Sequence, residues 1–112
     1  MKSPSDKIKK IIERMNKLGD TIIAIRGDGF SGNLLGTIQI GEDGRDVVLR
    51  IKTCKCHVHV EWDRVHDVIV DEEDVGYGAE PVVRMVDQNK KAIVHFFYPS
   101  LTKEKILKVI HE

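Results

Sequence analysis

The chain has 112 residues, the length of one domain, so residues 1–112 are interpreted as a single folded unit. Its 18 basic side chains balance 18 acidic ones, which leaves no net charge to attract nucleic acid or an anionic membrane surface. Its apolar runs are too short to cross a bilayer, and residues 1–19 are charged throughout without the apolar core of a signal peptide. We therefore expect a cytoplasmic protein.

The N-terminal segment has the pattern of an amphipathic helix. Ser3 is suited to the N-cap position and Pro4 to the first helical position, and Gly19 is suited to the end. The apolar side chains recur at helical spacing: Ile8, Ile11, Ile12, Met15 and Leu18.

After this segment the apolar period changes to two, which is typical of strands. We predict strands at residues 21–26, 33–40, 46–52, 56–62, 65–70, 81–86 and 92–98. The acidic residues 71–74 are interpreted as a loop, and a last helix is predicted to follow an N-cap at Thr102. Strands joined by short turns are antiparallel, so the fold class is α+β, an antiparallel meander with an N-terminal and a C-terminal helix.

The stretch 54–62 is the most informative for function. Its apolar positions shift phase after Lys52, which predicts a turn or bulge at residues 52–55. Because neighbouring strand residues point to opposite faces, Cys54 and Cys56 are predicted to be small core residues, and His57 and His59 to share the other face. This alternation disfavours one metal site built from all four side chains.

His57 and His59 should lie about 7 Å apart along the strand, given a rise of about 3.3–3.4 Å per residue. Lys55 and Glu61 flank them on the same face. Imidazole binds zinc, copper, nickel and iron, including haem iron, so one hypothesis is a divalent transition-metal site formed by His57, His59 and Glu61. Two ordinary surface histidines remain the alternative.

The other side chains indicate less chemistry. His95 lies between Val94 and Phe96, which favours a hydrogen-bonded core histidine over a ligand. No nucleophile stands in a recognisable catalytic motif, so no catalytic residue is predicted and a binding protein is favoured over an enzyme.

The run from Cys56 to Val65, CHVHVEWDRV, resembles the signature strand of the HutX/ChuX intracellular haem-utilisation proteins, whose larger HemS-like relatives contain two copies of the unit. The resemblance continues in order over roughly residues 19–112. It implies a strongly bent antiparallel sheet flanked by helices, commonly as a homodimer, and a role in binding and transferring haem in the cytoplasm. His57 matches the histidine of the family's Gly-His motif.

The leading hypothesis is accordingly a haem carrier with His57 or His59 as the iron ligand. Arg64, Arg84 or Lys55 are the candidates to bind a haem propionate. The alternatives are a non-haem metal or small-ligand protein that uses His57, His59 and Glu61, and a dimeric interaction domain without a ligand.

Overall fold

The computed structural model describes residues 6–41 and 46–111. The proposed cap at Ser3, the proline at position 4 and most of the turn at residues 41–44 lie outside these ranges. Helix α1 spans Asp6–Met15 and continues into a short 3-10 turn, Asn16–Leu18. Helix α2 spans Lys103–Ile110, and the Thr102 hydroxyl caps it by accepting a hydrogen bond of 3.2 Å from the backbone N–H of Lys105.

Between the helices, the described residues form seven strands. They are β1 Thr21–Gly27, β2 Phe30–Ile40, β3 Asp46–Ile51, β4 Cys56–Glu61, β5 Asp67–Asp74, β6 Ala79–Val86 and β7 Ala92–Phe97. Every pairing is antiparallel, and the order across the sheet is β4-β3-β2-β1-β7-β6-β5. The α+β class with two flanking helices is confirmed.

The order departs from a simple meander, because β1 pairs with β7 and the consecutive strands β4 and β5 lie at opposite edges. A flat sheet of this order would separate those edges by about 29 Å, at about 4.8 Å between neighbouring strands. The chain from Glu61 to Asp67 reaches only about 20–22 Å even when fully extended. Part of it is coiled into the 3-10 turn Trp62–Arg64. The sheet must therefore curve strongly to bring its two edges together.

The helices cover one face of this sheet. Their buried side chains, such as Ile12 and Ile106, join a core with inward residues of the strands, such as Ile23, Leu49 and Met85. The opposite face carries the alternate strand positions and is called the open face below. His57 and His59 on β4 and Arg50 on β3 belong to it by register.

The prediction of a loop at residues 71–74 was wrong, since these residues form the second half of β5. Asp71 pairs with Val82, and Glu73 pairs with Glu80. The acidic composition is compatible with a strand here because β5 is an edge strand, and charged residues are tolerated and common at sheet edges.

Candidate functional site

The β3–β4 hairpin places both candidate histidines on the open face. Its register sets His57 opposite Arg50 and His59 opposite Val48. The turn at residues 52–55 that joins the strands confirms the predicted break in the apolar pattern. Because β4 is an edge strand, the two imidazoles stand at the margin of the sheet and are exposed.

A groove of about 400 Å³ runs over this part of the open face. We call it the histidine groove, and it is lined by Gln39, Ile40, Gly41, Asp46, Val48, Arg50, His57 and His59. Its volume falls in the range of small-molecule sites, about 300–1,000 Å³. It combines the apolar side chain of Val48, in the middle of β3, with imidazole, carboxylate and guanidinium groups.

Within the groove, the two imidazole rings meet edge to face. Their centroids are 4.8 Å apart and their planes are inclined at 74°. The rings therefore converge more closely than the strand rise of about 7 Å between their backbones would suggest. Both can reach one bound group.

Asp46 determines which ring nitrogen of His59 is available to a ligand. The Nδ1 atom of His59 lies 3.0 Å from Oδ2 of Asp46. A carboxylate only accepts hydrogen bonds, so Nδ1 carries the proton and donates it. In the neutral ring, Nε2 then holds the free lone pair that binds a metal. A carboxylate behind a ligating histidine also holds the ring in place.

Among the residues that the structure describes, Arg50 is the cationic group lining the groove, and sequence reasoning missed it as a site residue. Its Nε–H donates to Oε1 of Gln39 at 2.7 Å, which anchors the guanidinium beside His57. In the sequence, the only sign of this role was that Arg50 falls at an outward-facing position of the strand β3. The strand register that sets it opposite His57 was needed to recognise its role.

Three residues that the sequence predicted to act with the histidines, Glu61, Arg64 and Lys55, do not line the groove. Glu61 accepts a hydrogen bond of 3.3 Å from Nε of Arg64, and both side chains are largely exposed. Lys55 lies in the exposed turn before β4. Residues 6–41 and 46–111 contain no group of three or more His, Cys, Asp or Glu side chains that could hold a metal ion. The ligand set of His57, His59 and Glu61 is thus not assembled, and the roles of these residues stay predictions.

Arg84 belongs to a second polar cluster, on β5, β6, β7 and β1. It donates to Oδ2 of Asp71 at 3.1 Å and to Oε1 of Glu73 at 2.8 Å. Arg26 forms a two-pronged ion pair with the same Glu73, at 3.2 and 2.7 Å. The hydrogen bond from Arg26, assisted by Arg84, lowers the pKa of Glu73 from 4.5 to about 2. Arg84 is therefore already paired by acids at a place separate from the histidine groove.

The same cluster decides the state of His95. The Nε–H of Arg84 donates to Nδ1 of His95 at 3.1 Å, so Nδ1 is the acceptor and Nε2 carries the proton in the neutral ring. Burial, with Arg26 and Arg84 nearby, lowers the pKa of His95. The half-buried, hydrogen-bonded position agrees with the expected structural role of this histidine.

The prediction that Cys54 and Cys56 are core residues was wrong. Both are exposed, and they are joined by a disulfide bond. Cys54 lies within the turn, where the strand alternation does not apply, and Cys56 lies at the first position of β4. The alternation argument therefore failed where the strand ends.

No protein-family model and no curated protein sequence matches this chain. Several solved structures do match. A structural-genomics protein from Agrobacterium tumefaciens aligns with a TM-score of 0.72 and 12% identity, over 97% of this chain and 68% of that one. A ChuX structure aligns at 0.70 and 12%, and another, described as the heme binding protein ChuX, at 0.65 and 11%; each covers 96% of this chain and 70% of the other.

These similarities define a fold. The chain has a ChuX-like fold, as the resemblance of residues 56–65 implied. No helix among the described residues is long and apolar enough to span a membrane.

Proposed function

We propose that this protein binds haem in the histidine groove and acts as a cytoplasmic haem carrier, in which His59 would hold the iron. The observation that carries the proposal is the hydrogen bond between His59 and Asp46, which leaves Nε2 of His59 as the metal-binding nitrogen. The fold it shares with a protein described as heme-binding adds support.

The groove has the donor set that such a ligand requires. Neutral imidazole is a common axial ligand of haem iron. Val48 gives the wall an apolar contact for the macrocycle, and the guanidinium of Arg50 would pair with a propionate carboxylate. When bound, haem would supply the iron centre, while the chain contributes the ligand, its orientation and the carboxylate contact.

His59 is preferred to His57, although His57 is the residue that matches the family motif. A carboxylate partner at hydrogen-bond distance holds the His59 ring. His57 has an edge-to-face contact with His59 and lies opposite Arg50. Neither contact holds the His57 ring in one orientation, as the hydrogen bond with Asp46 holds the ring of His59. We infer that His57 would line the site beside the ligand His59.

A haem titration of the full chain, followed by the Soret band, tests the proposal. We expect a Soret shift in the wild-type protein, a loss of at least about tenfold in affinity for His59→Ala, and a smaller loss for His57→Ala. His66→Ala is the matched control, because His66 is exposed and lies outside the groove.

The other outcomes are equally informative. Wild-type binding with equal affinity in His59→Ala would contradict the assignment of the ligand, and a wild-type protein that leaves the Soret band unchanged would contradict haem binding. In that second case, zinc or nickel binding that depends on both His57 and His59 would support the non-haem metal alternative, which the close contact of the two rings favours.

We also propose that the protein forms a homodimer. Leu35 on β2 is a large apolar side chain with 44% of its surface exposed on the open face, where a second copy can cover it. Light scattering after size exclusion should give twice the chain mass, and Leu35→Glu should reduce it. A monomer at all concentrations would contradict this proposal.

A further inference from the structure

We propose that Cys54 and Cys56 form a reversible dithiol–disulfide site that exchanges with small dithiol reductants, independently of haem. The inference rests on their bonding, their exposure and their place in the turn between β3 and β4.

The backbone brings the two cysteines within reach of a disulfide bond. The two Cα atoms are 5.2 Å apart, inside the usual range of about 4.4–6.8 Å for bridged cysteines. Ile51 and Cys56 are paired across the hairpin, and Cys56 is the first residue of β4. Cys54 lies two residues before it, in the turn.

The bond is not required to hold the fold together. It encloses only Lys55, and a loop this short removes little entropy from the unfolded chain. Six residue pairs already join β3 to β4, and the core packs through residues such as Leu49 and Val60. A bond with little structural function and no steric protection has the character of a labile disulfide rather than a structural one.

Exposure and local charge favour exchange. Both cysteines are exposed, as is Lys55 between them in the sequence. Cationic side chains stabilise the thiolate form, which is the attacking species in one direction and the leaving group in the other. The site is thus accessible to a reductant and electrostatically suited to both steps.

The exchange proceeds in two balanced steps. A thiolate of the dithiol attacks one protein sulfur, the bond between Cys54 and Cys56 breaks, and a mixed disulfide forms while the other protein sulfur leaves as a thiolate. The second thiolate of the reductant then attacks the mixed disulfide and releases the remaining protein thiolate. The reductant becomes a disulfide, the cysteines gain two electrons, and two protons convert them to thiols.

Intact mass spectrometry after maleimide trapping tests this site on the folded full chain. With glutathione disulfide, we expect a monomer that has lost two hydrogen atoms and takes up no maleimide. With dithiothreitol under native conditions, the same sample should take up two maleimides with almost no singly labelled species, because both thiols appear together. Returning the sample to glutathione disulfide should restore the first state.

Cys54→Ser and Cys56→Ser are matched controls that leave the fold intact, as circular dichroism should verify. Each has one thiol, so oxidation should yield a glutathione adduct or a disulfide-linked dimer. The proposal would be overturned if the folded wild-type chain kept two free thiols in glutathione disulfide. It would also be overturned if the bond resisted dithiothreitol until the chain was unfolded. Neither outcome depends on haem.

Discussion

Two histidines on the open face make opposite hydrogen bonds through the same ring nitrogen. In His59, Nδ1 donates to the carboxylate of Asp46, whereas in His95, Nδ1 accepts from the guanidinium of Arg84. The first arrangement leaves Nε2 with a lone pair, and the second places the proton there. The partner across the strands, rather than the histidine itself, thus separates a candidate ligand from a structural residue.

The surroundings reinforce this contrast. His59 is half exposed at an edge of the sheet, in a groove that can admit a ligand. His95 lies on the central strands and is held by a cluster in which two arginines share Glu73. A binding site requires an atom that is free to bond to a ligand, and in the histidine groove this atom is Nε2 of His59. In the Arg84 cluster, the hydrogen bonds of Arg84 go to His95, Asp71 and Glu73 and stabilise the fold.

The largest effect should come from breaking the Arg84 cluster. Arg84→Met removes hydrogen bonds to His95, Asp71 and Glu73 from a side chain that is only 19% exposed. We expect the free energy of unfolding to fall by about 1–3 kcal/mol, because half-buried polar partners lose their donor. Urea unfolding measures it. Arg64→Met, which removes an exposed pair with Glu61, should change stability by less than about 0.5 kcal/mol, and equal effects of the two variants would refute the contrast.

The next effect sharpens the role of Asp46. Asp46→Asn should lower haem affinity by about tenfold, since outer partners of ligating histidines typically contribute 10–100-fold. Stability should change little, because the pair with His59 is partly exposed. The Soret titration measures affinity, and Asp20→Asn, which breaks the exposed pair with Lys52, is the control. Wild-type affinity in Asp46→Asn would remove the argument for His59.

The third effect is a pH dependence that comes from His95. Because its pKa in the folded chain lies below the ordinary value of 6.5, the unfolded chain takes up the proton first as pH falls. The contribution to stability is therefore present above pH 6.5 and is lost below it.

Urea unfolding of wild type and His95→Gln at about pH 7.5 and pH 5.5 checks this sign. Both pH values lie above the range of about 2 to 4.5 in which Glu73 gains its proton in the folded and unfolded chains. The wild type should lose more stability than His95→Gln on acidification. His111→Gln, which removes an exposed histidine at the end of α2, should behave like the wild type. A parallel loss in His95→Gln would show that His95 is not the source.

The smallest effect concerns Arg50. An exposed ion pair contributes about 0.2–1 kcal/mol, so Arg50→Ala should weaken haem binding by no more than about fivefold. The loss should vanish with haem dimethyl ester, which has no propionate charge. Arg64→Ala is the control outside the groove. An equal loss with the ester would indicate that Arg50 acts by shaping the groove rather than by binding a carboxylate.

Local pattern alone was sufficient for much of the fold. The helical spacing from Ile8 to Met15, the cap at Thr102 and the positions of β1, β3 and β7 reflect short-range rules, and the structure follows them. The acidic half of β5 was missed because composition suggested a loop, while pairing with β6 at an edge made a strand favourable. The two cysteines were misplaced because an alternation rule was extended into a turn.

The sequence by itself determined which side chains share a face of each strand, and so it brought His57 and His59 together. Only the tertiary structure decided their neighbours. It set Asp46 against His59, Arg50 against His57 and Arg84 against His95, and it paired β1 with β7 so that the edges β4 and β5 must approach. The physical reason is that the face on which a strand side chain lies depends only on the local period of two residues. Which side chains it meets on the neighbouring strand depends on strand order and register, and these are selected by the packing of the whole core.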